Sequence, residues 1–292
     1  MNERLKKLNS LLFKVISRKN INKWNYEPER NLPIYGLYHI YCVNAWKDLV
    51  KEQIQNLKDS GLYDVTGLIY VSVIYSQESD LNYIKNIIGG KICLISQTKD
   101  GAKFEFPALD FIHDKSKEEN FLVYYFHTKG ISYTSNAKDY PSKDYLKLKN
   151  CTEAWRKMME YFIFYKWKVA VNVLKDYDTY GSYYMDPIVP PFHYKFYSGN
   201  FWWSKSDYIK ILPELTEEEH KNRYLAENWL CRKAKKIFVA FNTSAELYAI
   251  EMNPKFYHSD ITVTIMSKAL CIVPYFFSHY KFIIKKYVFK KK

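Results

Sequence analysis

The chain has 292 residues, 48% of them hydrophobic, with a formal net charge of +13. It can bury a full core as one large or two small domains, and it has no apolar run near the roughly 20 residues that a membrane-spanning helix needs; the longest candidate, 269–277, contains Pro274. Residues 1–19 carry +5 and residues 281–292 carry +6, which leaves +2 for residues 20–280, so the body lacks the basic stripe of a nucleic-acid enzyme and no nucleic-acid partner is expected.

Residues 1–30 form a basic N-terminal segment in which Leu5, Leu8, Leu12 and Val15 recur at helical spacing among Arg4, Lys6, Lys7 and Lys14. A basic tail, 266–292, places Phe282, Ile283, Ile284, Val288 and Phe289 among its lysines. Basic amphipathic ends suit an anionic membrane surface, where each Lys or Arg contributes about 1 kcal/mol; the other reading is a helix packed on the body with a solvated basic face. The N-terminus shows no small-residue cleavage site after an apolar core, which predicts no signal peptide. The five cysteines form no CxxC pair, which favours a reducing compartment and disfavours structural zinc. Together these features predict a cytoplasmic protein, peripheral on the inner face of a membrane.

Residues 31–135 read as α/β. A strand over 36–43 (GLYHIYCV) leads into a helix over 44–60 with Trp46, Leu49, Val50, Ile54 and Leu57 on one face. A strand over 67–74, a short helix over 80–88, a strand over 91–96 and a helical segment over 106–119 follow. The next run, FLVYYFHTKG from 121 to 130, has the β-branched and aromatic density of an interior strand, and it ends abruptly in His127, Thr128, Lys129 and Gly130. Alternation of this kind predicts a mostly parallel sheet with right-handed crossovers. Ligands bind at the C-terminal ends of such strands, so Asn44, Thr128, Lys129 and Gly130 are candidate ligand-binding residues, the other reading being a strand end that faces water.

Residues 136–265 read differently, as a helix-rich half that opens with a long aromatic helix over 143–174. Asp176 and Asp178 follow it; such a pair holds a divalent cation in some sugar transferases, and the alternative is a helix-ending turn. Ser198, Gly199 and Asn200 form a tight turn before Trp202 and Trp203, whose adjacent side chains must point to opposite faces of a strand. One of them is expected to form a platform for a sugar or a base, unless both are core. Arg223 and Glu227, four apart on a helix, either pair with each other or present Glu227 as a base for an attacking hydroxyl.

The ordered set of Asn44 and Trp46, Ser60-Gly61-Leu62-Tyr63, Phe126-His127-Thr128-Lys129-Gly130, Trp155-Arg156, Tyr180-Gly181, Ser198-Gly199-Asn200-Phe201-Trp202-Trp203 and Arg223 to Trp229 resembles glycosyltransferases of GT-A-like fold. These belong to surface-polysaccharide synthesis, such as capsule or lipopolysaccharide, in bacteria and some large viruses. The resemblance covers roughly residues 35–250 and implies a nucleotide-sugar co-substrate bound at the rim of the N-terminal sheet. It also implies a glycan or lipid-linked glycan acceptor held by the C-terminal half, through Ser198, Gly199, Asn200, Trp202, Trp203 and Arg223. Candidate catalytic residues are Glu227, Lys129 and His127. Where the family usually carries Asp-x-Asp at its fourth strand end, this sequence has His127-Thr128-Lys129, so metal dependence stays open and a lysine would neutralise the leaving diphosphate as a point charge. A non-catalytic glycan-binding protein is the alternative function.

Overall fold

The computed structural model describes residues 16–131, 142–186, 195–243, 247–248 and 251–258. Its strands are β1 (Ile16–Arg18), β2 (Ile34–Tyr41), β3 (Thr66–Ile74), β4 (Ile92–Thr98), β5 (Leu122–His127), β6 (Thr179–Gly181), β7 (Tyr184–Met185), β8 (Phe196–Tyr197), β9 (Trp202–Lys205), β10 (Ile237–Val239) and β11 (Phe241–Thr243). Its helices are α1 (Trp46–Asp59), α2 (Leu62–Val65), α3 (Glu78–Ile88), α4 (Phe106–Glu118), α5 (Ser142–Glu160), α6 (Trp167–Val173), α7 (Ser206–Ile209), α8 (Tyr224–Trp229) and α9 (Lys255–His258).

Seven strands form one sheet in the order β10-β6-β9-β5-β2-β3-β4. The pairs β2·β3, β2·β5, β3·β4 and β10·β6 are parallel, whereas β9 runs antiparallel to both β5 and β6. The fold is therefore α/β with a mostly parallel mixed sheet flanked by helices, as the alternation predicts, and it is compatible with a Rossmann-like arrangement. From β2 the chain moves outward through β3 to β4, then returns to place β5 on the other side of β2. The C-terminal ends of β2 and β5 thus flank a topological switch point, where open α/β sheets leave a crevice.

Both faces of the sheet are covered. One core packs Tyr38, Ile40, Val71, Tyr124, Phe126 and Trp203 against α1, α3, α5 and α6; the other packs Leu37, Tyr70, Val123, Tyr125 and Trp202 against α4, α7 and α8. The period-2 alternation of strand side chains explains the split, since neighbours in β5 and in β9 go to opposite cores.

Two expectations need correction. The second half is helix-rich as expected, but it is not a separate layer: β6, β9 and β10 continue the same sheet, so the boundary at 135/136 falls within one sheet. Segments as short as TYG, WWSK and IFV carry too few residues for periodicity to reveal them. The long helix over 143–174 is interrupted by a π-helical turn at Tyr161–Tyr165, where the consecutive Phe162, Ile163 and Phe164 are all buried.

Residues 1–15 and the basic tail 266–292 lie outside the described residues. The rest of the N-terminal segment packs on the body. Strand β1 pairs with β11, Ile21 is buried, and Asn172 Nδ2 donates to the carbonyls of Trp24 and Tyr26 at 2.9 and 3.0 Å. Among the described residues no helix is long and apolar enough to cross a membrane, and Cys42, Cys93, Cys151 and Cys231 are free thiols.

Candidate functional site

Strand direction decides what meets at the switch point. Because β9 is reversed, the turn Ser198–Asn200 that feeds it lies at the rim where β5 ends, beside Lys129. Gly130 has φ +81° and a Cβ there would stand 2.6 Å from Thr152 Cγ2, so the chain leaves β5 by a path that glycine alone permits. Gly199 has φ +93°, and a Cβ on it would meet Met159 Sδ at 2.5 Å. Both glycines let backbone close on α5.

Between these segments lies a cavity of about 260 Å³, lined by Lys129, Trp155, Ser198, Gly199, Arg223, Tyr224, Glu227 and Tyr248, among others. The sequence candidates Lys129, Ser198, Gly199, Arg223 and Glu227 converge here from three separate stretches. Lys129 Nζ lies 4.0 Å from the ring centroid of Trp155, and the Arg223 guanidinium lies 5.0 Å from that of Tyr224. Lys129 also borders a second cavity of about 220 Å³, shared with Gly130, Asp48, Glu52 and Arg156 between α1 and α5.

The charges in the first cavity perturb one another. Burial pushes the Glu227 carboxyl above its ordinary value and Glu105 pushes it further, while Lys129 and Arg223 pull it back. Burial lowers the Lys129 ammonium, against the pull of Glu227 and Glu105 and with the help of Arg223. Arg223 and Glu227 form no ion pair among the described residues; the guanidinium stacks on Tyr224 instead, so the simple i,i+4 pairing is not made.

Other candidates hold the frame. Thr128 is buried; its N–H donates to the His39 carbonyl at 3.2 Å, and its Oγ1 accepts from Tyr41 N at 3.0 Å. Asn44, at φ 54°, donates through Nδ2 to the Ile131 carbonyl at 3.0 Å. These two side chains bind β2 to the segment after β5 rather than standing free for a ligand. His127 lies behind the cavity wall, with Nε2 2.9 Å from the Gly199 carbonyl and Nδ1 3.5 Å from Glu105. Burial lowers its pKa, opposed by Glu105. Asn200 is buried and donates to the Glu105 carboxylate, so it shapes the turn from behind.

Trp202 and Trp203 are core residues, contrary to the expectation of a ligand platform. Trp202 is 1% exposed, stacks on Tyr125 and donates to Asn200 Oδ1; Trp203 is 0% exposed and donates to the Ile163 carbonyl. They do face opposite sides of β9, but each side has its own core. The aromatic surface of the cavity comes from Trp155, Phe196, Tyr224 and Tyr248.

Asp176 and Asp178 lie before β6, at the edge of the sheet opposite the Lys129 rim. Asp178 Oδ2 accepts from the backbone N–H groups of Lys235 and Lys236 at 3.0 and 2.9 Å. It fixes the start of β10, which corrects its candidacy as a metal ligand for this cavity. Elsewhere, potential ligand atoms of His113, Asp114 and Glu214 lie within 4.8 Å of one another, but Lys117 already bridges the two carboxylates at 2.9 and 2.8 Å.

Sequence reasoning missed Glu105. Its carboxylate accepts from Tyr125 OH at 2.8 Å and from Asn200 Nδ2, and it faces His127. Burial alone would raise its pKa, yet His127, His39 and the two hydrogen bonds bring it below the ordinary value. A lone carboxylate between Phe104 and Phe106, just ahead of Pro107, was the available signal. No protein-family model, curated protein or solved structure matches the chain.

Proposed function

We propose that this protein is a glycosyltransferase of GT-A-like fold. It moves a sugar from a nucleotide-sugar donor to a glycan or lipid-linked glycan acceptor in surface-polysaccharide synthesis. The observation that carries this reading is the placement of Lys129 and Glu227 in one aromatic-walled cavity at the switch-point rim of an α/β sheet. A sugar transferase that inverts uses a carboxylate with a pKa suited to taking the acceptor proton and a cation to meet the leaving diphosphate, and rings such as Trp155 and Tyr248 suit sugar faces.

In the step envisaged, the acceptor hydroxyl oxygen forms a bond to the anomeric carbon while Glu227 takes the hydroxyl proton. The bond from the anomeric carbon to the diphosphate oxygen breaks, and its electron pair leaves on the diphosphate, whose charge Lys129 and Arg223 neutralise. His127, Asn44, Thr128 and Asn200 act on the geometry of this cavity through the backbone groups and side chains that they hold.

The aromatic walls alone would also serve a non-catalytic glycan-binding protein. A screen of nucleotide-sugar donors for release of free nucleoside diphosphate, with and without EDTA, separates the two. Release that survives EDTA is expected; saturable glycan binding with no release from any donor would favour the binding protein. Release abolished by EDTA would give the diphosphate to a metal ion instead of Lys129.

A further inference from the structure

We propose that Glu105 is the positioning residue of this cavity: one carboxylate ties the turn at 198–200 to the end of β5, and so sets how Lys129 and Glu227 stand to each other. Its consequence for transfer rests on the function proposed above; its structural and electrostatic part does not.

Glu105 precedes α4, whose N-terminal end reaches the same rim as the end of β5. Two arms run from it to the turn. Oε2 receives Asn200 Nδ2 directly, together with Tyr125 OH from β5. Oε1 faces His127 Nδ1 at 3.5 Å, and His127 Nε2 lies 2.9 Å from the Gly199 carbonyl. A carbonyl oxygen can only accept, so Nε2 carries the proton that donates to it, and the arm to Glu105 closes when Nδ1 is protonated as well, a form that Glu105 favours and burial opposes. Gly199 and Asn200 both hold positive φ, at 93° and 55°, a tight-turn geometry that glycine and asparagine favour. Lys129 Cε packs against Gly199, within 3.1 Å of where a Cβ would stand. The turn that forms one wall of the cavity is therefore held from behind by a group that the cavity does not expose.

The same carboxylate acts through space. The charged groups that face Glu227 are Lys129, Arg223 and Glu105; those that face Lys129 are Glu227, Glu105 and Arg223. An ionised Glu105 keeps the Glu227 carboxyl higher than it would otherwise be, which favours a base strong enough to take a hydroxyl proton. Its neighbour His39 is buried, with its imidazole lowered to about 4, and so adds no competing charge near neutrality.

The test is an NMR titration of 13C-carboxyl-labelled Glu227 in the full chain and in Glu105→Gln, with amide exchange of Asn200 measured alongside. Glu105→Gln is expected to lower the Glu227 midpoint by roughly half a pH unit or more and to speed exchange at Asn200 roughly tenfold. An unchanged midpoint and unchanged exchange would overturn the proposal. If Glu105→Gln does not fold, Tyr125→Phe decides, because it removes one hydrogen bond from Glu105 while keeping its charge. The Glu105 midpoint should then rise, and the Glu227 curve should carry a second inflection that moves with it; a Glu227 curve blind to that change would overturn the proposal. If transfer occurs, the acid limb of kcat/KM in Glu105→Gln moves down in pH with the Glu227 midpoint. A wild-type chain that releases no nucleoside diphosphate while these NMR shifts hold would sink the transferase reading alone.

Discussion

The ammonium of Lys129 stands 4.0 Å from the ring centroid of Trp155, so the loop after β5 and helix α5 meet in a cation–aromatic contact at the cavity floor. The contact aims a partly buried cation without neutralising it, as an oppositely charged partner would. Lys129→Ala is therefore expected to lower turnover by roughly 10²-fold or more while far-UV circular dichroism and melting temperature stay close to wild type. Full turnover in that variant would remove Lys129 from the chemistry.

Glu227 provides a test of opposite sign for stability and activity. Burial, chiefly, raises its carboxyl, so folding favours the protonated form. That contribution to stability is present below the unfolded-state pKa of about 4.3 and is lost as pH rises through the higher folded-state value. Glu227→Gln never ionises, so it should melt higher than wild type at pH 7 and converge with it in acid. A lower melting temperature at pH 7 would mean that the ionised carboxylate is held by interactions stronger than its burial cost.

The aromatic residues divide by place. Trp202→Ala, which empties a site in one of the two cores, should cost about 3–5 kcal/mol and impair every property together. Tyr248→Ala, at a residue 41% exposed on the cavity wall, should weaken glycan binding with little change in melting temperature. Calorimetric titration with oligosaccharides, beside thermal melts, compares the two; undiminished binding by Tyr248→Ala would place the glycan elsewhere.

Legibility in the sequence followed the length and regularity of each element. Strands β2, β3 and β5 are long and rich in Ile, Val and aromatic residues, so the parallel half and its rim could be read directly, and Lys129 and Gly130 with them. Glu227 and Arg223 could be placed on one helix by spacing. The tryptophans misled because two adjacent aromatic side chains on a strand imply two faces but not which faces are covered. The second face is covered by α4 and α8, which lie far from residue 202 in the chain, together with the four-residue α7 just after β9. Asp178 misled because carboxylates that cap a distant strand look, in sequence, like carboxylates awaiting a cation. Glu105 escaped notice because its partners, Tyr125, His127 and Asn200, lie up to 95 residues away.

We propose that the basic tail bears on location rather than chemistry. Six lysines among apolar residues in 281–292 suit an anionic surface. Removing that segment should release the protein from anionic vesicles at low salt without lowering turnover on a soluble acceptor. Equal vesicle binding by the full and shortened chains in a co-sedimentation assay would contradict a membrane role for it.

Transfer at the Lys129 and Glu227 cavity is tested most directly by release of free nucleoside diphosphate from a productive donor and acceptor, measured side by side for wild type, Glu227→Gln and Asp178→Asn. Glu227→Gln keeps the shape of the cavity and removes the proposed base, while Asp178 lies at the far edge of the sheet, where it holds the backbone of Lys235 and Lys236. The expected result is release by wild type and by folded Asp178→Asn, with none above background from Glu227→Gln at nearly unchanged donor affinity. Near-wild-type release by Glu227→Gln, with loss in a folded Asp178→Asn, would contradict the assignment and move the chemical centre to the opposite edge of the sheet.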